Sequence, residues 1–201
     1  MGEPMSEQER PSGARRSSMR SDAEQNRARI LEVARTALAE GRNASLNSIA
    51  KQAGVGPGTL YRHFPNREAL VLAVYRNDVR ELVDAAPALL GACPPFDALR
   101  VWLDRLAAYG RVKHGLVDAL HSGTRAELAR EHYGSVTGAI TLLLNAGKDA
   151  GALRPDIDAE EVLLLIGFLW RIDLDADWDA RSRHLLDLVM DGLRRQPAAG
   201  R

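Results

Sequence analysis

The sequence predicts an all-α protein, and three observations support that fold class. Apolar residues make up 45% of the 201 residues, whereas aromatic residues make up only 5%. The sequence has no long run of alternating β-branched residues, which is the usual signature of strands. Apolar side chains instead recur at three- and four-residue spacings, as on the buried face of a helix. A chain of this length suits one or two domains with a real hydrophobic core.

The two ends of the chain have the composition of disordered segments. Residues 1–20 are rich in Ser, Gly, Pro and Arg and have almost no large apolar residues, so we predict a disordered basic arm. Arg15, Arg16 and Arg20 could contact DNA from this arm, although a solvated tail is the simpler interpretation. The arm has no apolar stretch of the kind found in signal peptides. Residues 197–201 are predicted to form a disordered tail.

Residues 21–66 predict three helices. Ser21 and Glu24 have the capping-box spacing, so the first helix is expected to start there. Two short helices follow, one capped by Ser45 or Asn47 and one starting at Pro57, and Gly54 lies in the tight turn between them. Two short helices joined by such a turn form a helix-turn-helix, which is typical of DNA-binding proteins.

The second short helix has an apolar side and a polar side. Leu60 and Phe64 are predicted to face the core, while Tyr61 and Arg62 point outward, where hydroxyl and guanidinium groups can contact phosphates and bases. Arg67 follows in the first turn of the next helix, an unfavourable place for a cation, so we expect a phosphate beside it. The predicted DNA-binding residues are Arg27, Ser45, Leu46, Gly56, Pro57, Gly58, Thr59, Tyr61, Arg62, His63 and Arg67.

Residues 27–74 resemble the DNA-binding domain of the TetR family of bacterial transcriptional repressors. The resemblance is carried by Ile30, Leu31 and Ala34, the run from Ile49 to Val55, and the run from Gly58 to Leu70. It implies a homodimer with a DNA-binding head, a connecting helix and a helical body that binds a small-molecule effector. In this family the last two long helices form a four-helix dimer interface.

Residues 67–196 are predicted to form the helical regulatory and dimerisation domain. The helix following Arg67 is expected to end near Ala86, before Pro87, and Asp158 is expected to cap a later helix that continues to Trp170. Residues 162–170 are apolar on nearly every side of that helix, so we expect a partner subunit to cover it. The predicted dimer-interface residues are Val162, Leu165, Ile166, Leu169, Leu185, Leu188 and Val189.

An apolar effector pocket is predicted between the body helices, although ordinary core packing explains each aromatic residue equally well. The predicted pocket residues are Trp102, Arg105, Leu106, Tyr109, His114, His121, Tyr133, Phe168 and Trp170. His114, Asp118 and His121 could share a helical face, but they lack a further ligand cluster, so no metal or other cofactor is predicted. Cys93 is the single cysteine, which excludes an intrachain disulfide.

The charge distribution and the absence of enzyme motifs also favour a regulator. Up to Arg80 the chain has thirteen Lys and Arg against nine Asp and Glu, and beyond it fourteen against eighteen. A basic DNA-binding head on an acidic body would give this asymmetry. The sequence has no Gly-rich phosphate loop after a strand, nucleophile elbow or metal-ligand set, so we do not expect an enzyme.

We therefore predict a transcriptional regulator that binds a double-stranded DNA operator. The resemblance favours a repressor that is released from a palindromic operator by a small molecule. A helical protein-binding adaptor, or an activator without a small-molecule ligand, is the alternative. The longest apolar run is too short to span a membrane, and together with the single cysteine this predicts a cytoplasmic protein.

Overall fold

The computed structural model describes residues 12–39, 44–117, 122–172 and 177–195, and within these ranges the protein is all-α, as predicted. The head contains three helices and the body contains five α-helices and one 3₁₀ segment. The helices are α1 (Ser12–Ala39), α2 (Leu46–Gln52), α3 (Pro57–His63), α4 (Arg67–Ala92), α5 (Pro95–Val117), α6 (Ser122–Asp149), α7 (Ala159–Leu165) and α8 (Trp178–Leu193), with the 3₁₀ segment (Ile166–Trp170) after α7.

Helix α1 begins earlier than the sequence predicted. It starts at Ser12 instead of Ser21, so residues 12–20 are helical and their assignment to a disordered arm is wrong. Extending an existing helix fixes few additional residues per hydrogen bond, and no proline interrupts residues 12–39. The remainder of the predicted arm and the predicted tail, residues 197–201, lie outside the described residues.

The three head helices pack around a small apolar core. Ile30 and Ala34 of α1, Ile49 of α2 and Leu60 of α3 are each at most 3% exposed. Phe64, just after α3, is buried at the same core. This core joins that of the body through α4, which packs against α1 at one end and against α5 and α6 further along.

Helix α4 continues past the predicted stop at Pro87 and ends at Ala92. A proline inside a helix costs about 3 kcal/mol because it lacks an N–H donor and crowds the preceding turn. Here Pro87 lies on the exposed side, while Leu82, Ala85 and Ala86 are buried on the other. Their burial offsets the cost, and the helix therefore ends only at the Cys93 cap, whose N–H donates to the Leu89 carbonyl.

The predicted helix from Asp158 to Trp170 has two parts. Its start is as expected, because Asp158 and Glu161 form a reciprocal capping box with two hydrogen bonds of 2.9 Å. After Leu165 the chain tightens into the 3₁₀ segment, where three residues per turn place Ile166 and Leu169 on one buried face. Gly167, a weak helix former, lies at this transition.

None of the helices in the described ranges combines the length and the apolar character required to cross a membrane.

Candidate nucleic-acid interface

The turn between α2 and α3 depends on one glycine conformation. Gly54 has φ 66°, the left-handed region that other residues avoid. The N–H of Val55 donates to the Ala50 carbonyl at 3.0 Å, and the N–H of Gly54 donates to the Lys51 carbonyl at 3.2 Å. This pair of bonds is a Schellman motif, which ends α2 and sets the direction in which α3 begins.

Helix α3 presents its polar side outward. Leu60 is fully buried and Phe64 is 2% exposed, whereas Tyr61 is 45% exposed and Arg62 is exposed as well. The predicted inward orientation of Ile49, Ala50, Leu60 and Phe64 is thus confirmed, and Val55 is half-buried against the same core. The predicted contacts of the outward residues with DNA remain predictions.

The start of α3 is open. Gly56, Pro57 and Gly58 are exposed, and Pro57 occupies the first turn, where a missing N–H costs no helical hydrogen bond. A side-chain carbon added to Gly56 or Gly58 would meet no protein atom within 4 Å. Thr59 and His63 are half-buried on the flanks of the helix. The open end therefore leaves space for a close partner.

The starts of α2 and α4 are tied together. Ser45 caps α2 by accepting a hydrogen bond from the Ser48 N–H at 3.2 Å. Arg67, in the first turn of α4, donates from Nη1 to the carbonyl of Ala44, the residue before that cap. Leu46 is half-buried against the head core, so only part of its side chain faces outward. Arg67 thus fixes the position of α2 as well as carrying a charge there.

Two features of the head were missed by the sequence analysis. The guanidinium of Arg27 lies over the Phe64 ring, 5.6 Å from its centroid, which places a cation beside the end of α3. The outer face of α2 also carries exposed polar residues, among them Lys51 and Gln52. The side-chain amide of Gln52 donates a hydrogen bond to the Ser48 hydroxyl. The position of Lys51, two residues after the buried Ile49 and so on the opposite side of the helix, could have revealed this face.

The residues of the predicted effector pocket do not lie together. Trp102 and Leu106 are core residues, and the indole of Trp102 donates to the Leu82 carbonyl at 2.8 Å. Tyr133 is 52% exposed on α6. In this structure Trp102 and Leu106 are thus used for packing and Tyr133 lies on the surface, so their place in an effector pocket remains a prediction. The side chain of His114 and the whole of His121 lie outside the described residues.

The remaining predicted pocket residues line two separate sites. Arg105 and Tyr109 border a cavity of about 160 Å³ between α1, α4 and α5. Phe168 and Trp170 line an open groove of about 500 Å³ between the 3₁₀ segment and α8. The Tyr109 and Trp170 rings meet edge to face, 6.4 Å apart, between these two sites.

The predicted dimer-interface residues fall into two groups. Val162, Ile166 and Leu169 are fully buried in the core of their own protomer, so their assignment to a subunit interface is wrong. The apolar pattern alone could not separate residues packed on the neighbouring helices from residues open to a partner. Leu165 and Leu188 are exposed, and Leu185 and Val189 are half-buried. Leu164, which was not predicted, is 81% exposed.

Comparison with known proteins extends over both parts of the chain. The family described as "Bacterial regulatory proteins, tetR family" matches residues 30–74, and the family described as "Transcriptional regulator SbtR-like, C-terminal domain" matches residues 94–195. An HTH-type transcriptional regulator of Staphylococcus aureus is 46% identical over 63 residues, which cover 30% of this chain and 34% of that protein. That match therefore spans about a third of the curated relative.

Two crystal structures resemble nearly the whole described fold. A TetR transcriptional regulator of Streptomyces coelicolor is 40% identical with a TM-score of 0.75, and the match covers 85% of this chain and 99% of that one. A TetR transcription regulatory protein of Mycobacterium vanbaalenii is 37% identical with a TM-score of 0.72, covering 88% and 99%.

Proposed function

Because the chain belongs to the TetR family of bacterial transcriptional regulators, we propose that it is a repressor that binds a palindromic operator as a homodimer. We further propose that a small molecule bound in the body releases it from that operator. An exposed polar α3 on a buried apolar support is the observation that carries the DNA-binding part of this proposal.

Helix α3 has the features required of a recognition helix. Its exposed Tyr61 and Arg62 can reach base edges or phosphates, and a guanidinium is the commonest specific contact to guanine in the major groove. The open start at Gly56, Pro57 and Gly58 allows the duplex to approach closely. Because Leu60 and Phe64 hold the opposite side in the core, the polar side has a fixed direction.

A homodimer is supported by the apolar residues left uncovered on the last helices. Leu164 and Leu165 of α7 and Leu188 of α8 are each at least half exposed. Exposed apolar side chains are typical of a subunit interface, and a two-fold dimer brings the same surface of two protomers together. Two related heads then read two half-sites, which gives the operator its palindromic symmetry.

The position of α4 supports the proposed release by an effector. This helix carries Arg67 at the DNA-binding head and runs into the body, where it packs against α5 and α6. A ligand that binds the body more tightly in one position of α4 shifts the population of dimers toward that position. Repression is relieved if that position holds the two recognition helices at the wrong separation for the operator.

Selection of bound duplexes from a random pool tests the DNA-binding part. We expect an inverted repeat whose half-site centres are separated by about one helical turn or a multiple of it. The variant Arg62→Ala should lose most of the preference for the selected site over random duplex, whereas Arg80→Ala, an exposed arginine of α4, should retain it. Enrichment of no sequence, or equal binding by both variants, would contradict the proposal.

The effector and repressor parts have their own test. Compounds that raise the melting temperature of the protein are added to the complex with the selected duplex, and a transcription assay measures output from a promoter that contains the site. We expect the protein to lower transcription and at least one stabilising compound to restore it. Stabilising compounds that all leave operator affinity unchanged would rule out release by a ligand.

A further inference from the structure

An ion pair joins the DNA-binding head to the body. Arg35 of α1 and Asp78 of α4 are 3.2 Å apart, measured from Nε to Oδ1. The Asp78 side chain is 5% exposed and that of Arg35 is 38% exposed. The contact does not meet hydrogen-bond geometry, and neither carboxylate oxygen of Asp78 accepts a hydrogen bond from the described residues. A nearly buried carboxylate therefore lies at the junction, with the Arg35 guanidinium as its ion-pair partner.

The surroundings of Asp78 do not favour its negative charge. Glu32 on α1 and Glu81 on α4 are acidic neighbours, and Tyr109 and Arg105 of α5 border the same cavity of about 160 Å³. The pKa of Asp78 is raised from 3.8 to about 6, mainly by burial. Arg35 lowers this pKa by attraction, and Glu81 raises it by repulsion. Burial thus outweighs the attraction of Arg35, and the ionised group is held at a net cost.

We propose that Asp78 is a positioning residue for DNA binding, and that the charge on its carboxylate shifts the head–body junction from the packed arrangement toward an opened one in which the carboxylate is hydrated. This inference rests on the proposed function, because it assumes that the head binds DNA. In the opened arrangement Arg35 follows α1 and the contact with α4 lengthens. The orientation of α3 changes with it, since α1 and α3 share the head core.

Linkage gives the direction and size of the effect. The packed junction holds the proton more tightly than an opened junction with an ordinary carboxylate, so acid favours the packed arrangement. With pKa values of about 6 and 3.8, lowering the pH from 7.5 to 5.5 changes the ratio of packed to opened junctions about fourfold. Operator affinity follows this ratio because the two arrangements present α3 differently.

The experiment measures affinity for the operator selected from the random pool between pH 5.5 and 7.5. The variant Asp78→Asn is neutral at every pH and imitates protonated Asp78. We expect wild type to move toward Asp78→Asn in affinity as the pH falls, by up to about fourfold between pH 7.5 and 5.5, with the change setting in as the pH falls through about 6. Because all other ionisable groups are shared by the two proteins, the wild-type to variant ratio removes their contribution.

Two further variants make the result decisive. Asp84→Asn neutralises an exposed acid of the same helix and should follow wild type at every pH. Arg35→Gln removes the cation that lowers the pKa of Asp78, so the change in affinity should set in at higher pH, and this variant substitutes for Asp78→Asn if that variant does not fold. If wild type binds the operator but its ratio to Asp78→Asn is independent of pH, the inference is overturned. Absence of operator binding at every pH overturns the proposed function instead.

Discussion

Arg67 donates a hydrogen bond from Nη1 to the main-chain carbonyl of Ala44, 23 residues earlier in the chain. The bond joins the first turn of the connecting helix α4 to the residue before the α2 cap. Arg67 is half-buried, so part of the residue remains open to solvent. One side chain therefore positions the helix-turn-helix and places a positive charge beside it.

The variant Arg67→Ala should weaken operator binding about tenfold, since a charge-assisted contact contributes about 1.5 kcal/mol. The slope of log affinity against log salt concentration should fall by about one, because one phosphate contact is lost. Fluorescence anisotropy at several salt concentrations measures both quantities. Arg80→Ala should change neither, and loss of the dimer in Arg67→Ala would contradict the assignment of Arg67 to the head.

Tyr61 provides a test that leaves the fold intact. Because Tyr61 is 45% exposed, Tyr61→Ala should weaken operator binding while the melting temperature changes little. Tyr133→Ala is the matched control, since Tyr133 is 52% exposed on α6 of the body. Equal effects of the two variants on affinity would show that Tyr61 does not contact DNA.

The sequence predicted the head more accurately than the body because local rules govern the head. Gly54 signals its turn through the conformation that only glycine adopts readily, and the spacing of Ile49, Leu60 and Phe64 identifies their buried side. In the body, the aliphatic run around Val162 and Leu164 offers no such distinction. Val162 is fully buried and Leu164 is 81% exposed, and this difference depends only on the position of the neighbouring helices.

Contacts between residues far apart in the sequence could not be predicted from the sequence pattern either. Arg35 and Asp78 lie on different helices and neither belongs to a motif, so their contact depends on how α1 packs against α4. The start of α1 was missed for a different reason. The capping-box spacing of Ser21 and Glu24 is a local signal, and the continuation of an established helix overrides it.

Gly54→Ala should lower the free energy of unfolding by roughly 1–2 kcal/mol, the cost of a left-handed conformation for a residue with a side chain. The space around Gly54 is open, so a clash adds nothing to this cost. Chemical denaturation measures it, and a change near zero would show that the turn can adopt another conformation.

Gly58→Ala is expected to have the opposite pattern of effects to Gly54→Ala. Gly58 has no positive φ and lies in a helix, so alanine should leave the free energy of unfolding unchanged or slightly raised. Operator affinity should still fall, since the added methyl group stands where the duplex approaches. Unchanged affinity would mean that the start of α3 does not approach DNA closely.

The exposed leucines of the last helices predict the effect of single charges on assembly. Leu164→Asp and Leu188→Asp should convert dimers to monomers in analytical ultracentrifugation, because a carboxylate cannot be buried there without a partner. Both should also reduce operator affinity, since one head reads half of the site. Leu142→Asp is the control, as Leu142 is 44% exposed on α6. Dimers that persist in both α7 and α8 variants would place the interface elsewhere.

Asp78 also predicts how the stability of the fold depends on pH. Its pKa is raised to about 6 in the folded protein, above 3.8 for an unperturbed carboxyl, mainly by burial. The folded state therefore binds the proton more tightly, so this stabilisation is fully present below about pH 4 and is lost as the pH rises through about 6. The contribution amounts to at most about 3 kcal/mol.

Urea unfolding at pH 4.5, 6 and 7.5 measures this contribution as the difference between wild type and Asp78→Asn. The contributions of groups shared by both proteins cancel in the difference, so the stability of wild type relative to the variant should decline as the pH rises. Asp84→Asn, at an exposed position of the same helix, should show no such trend relative to wild type. A constant difference between wild type and Asp78→Asn would mean that Asp78 keeps an ordinary pKa in the folded protein, with Arg35 fully compensating its burial.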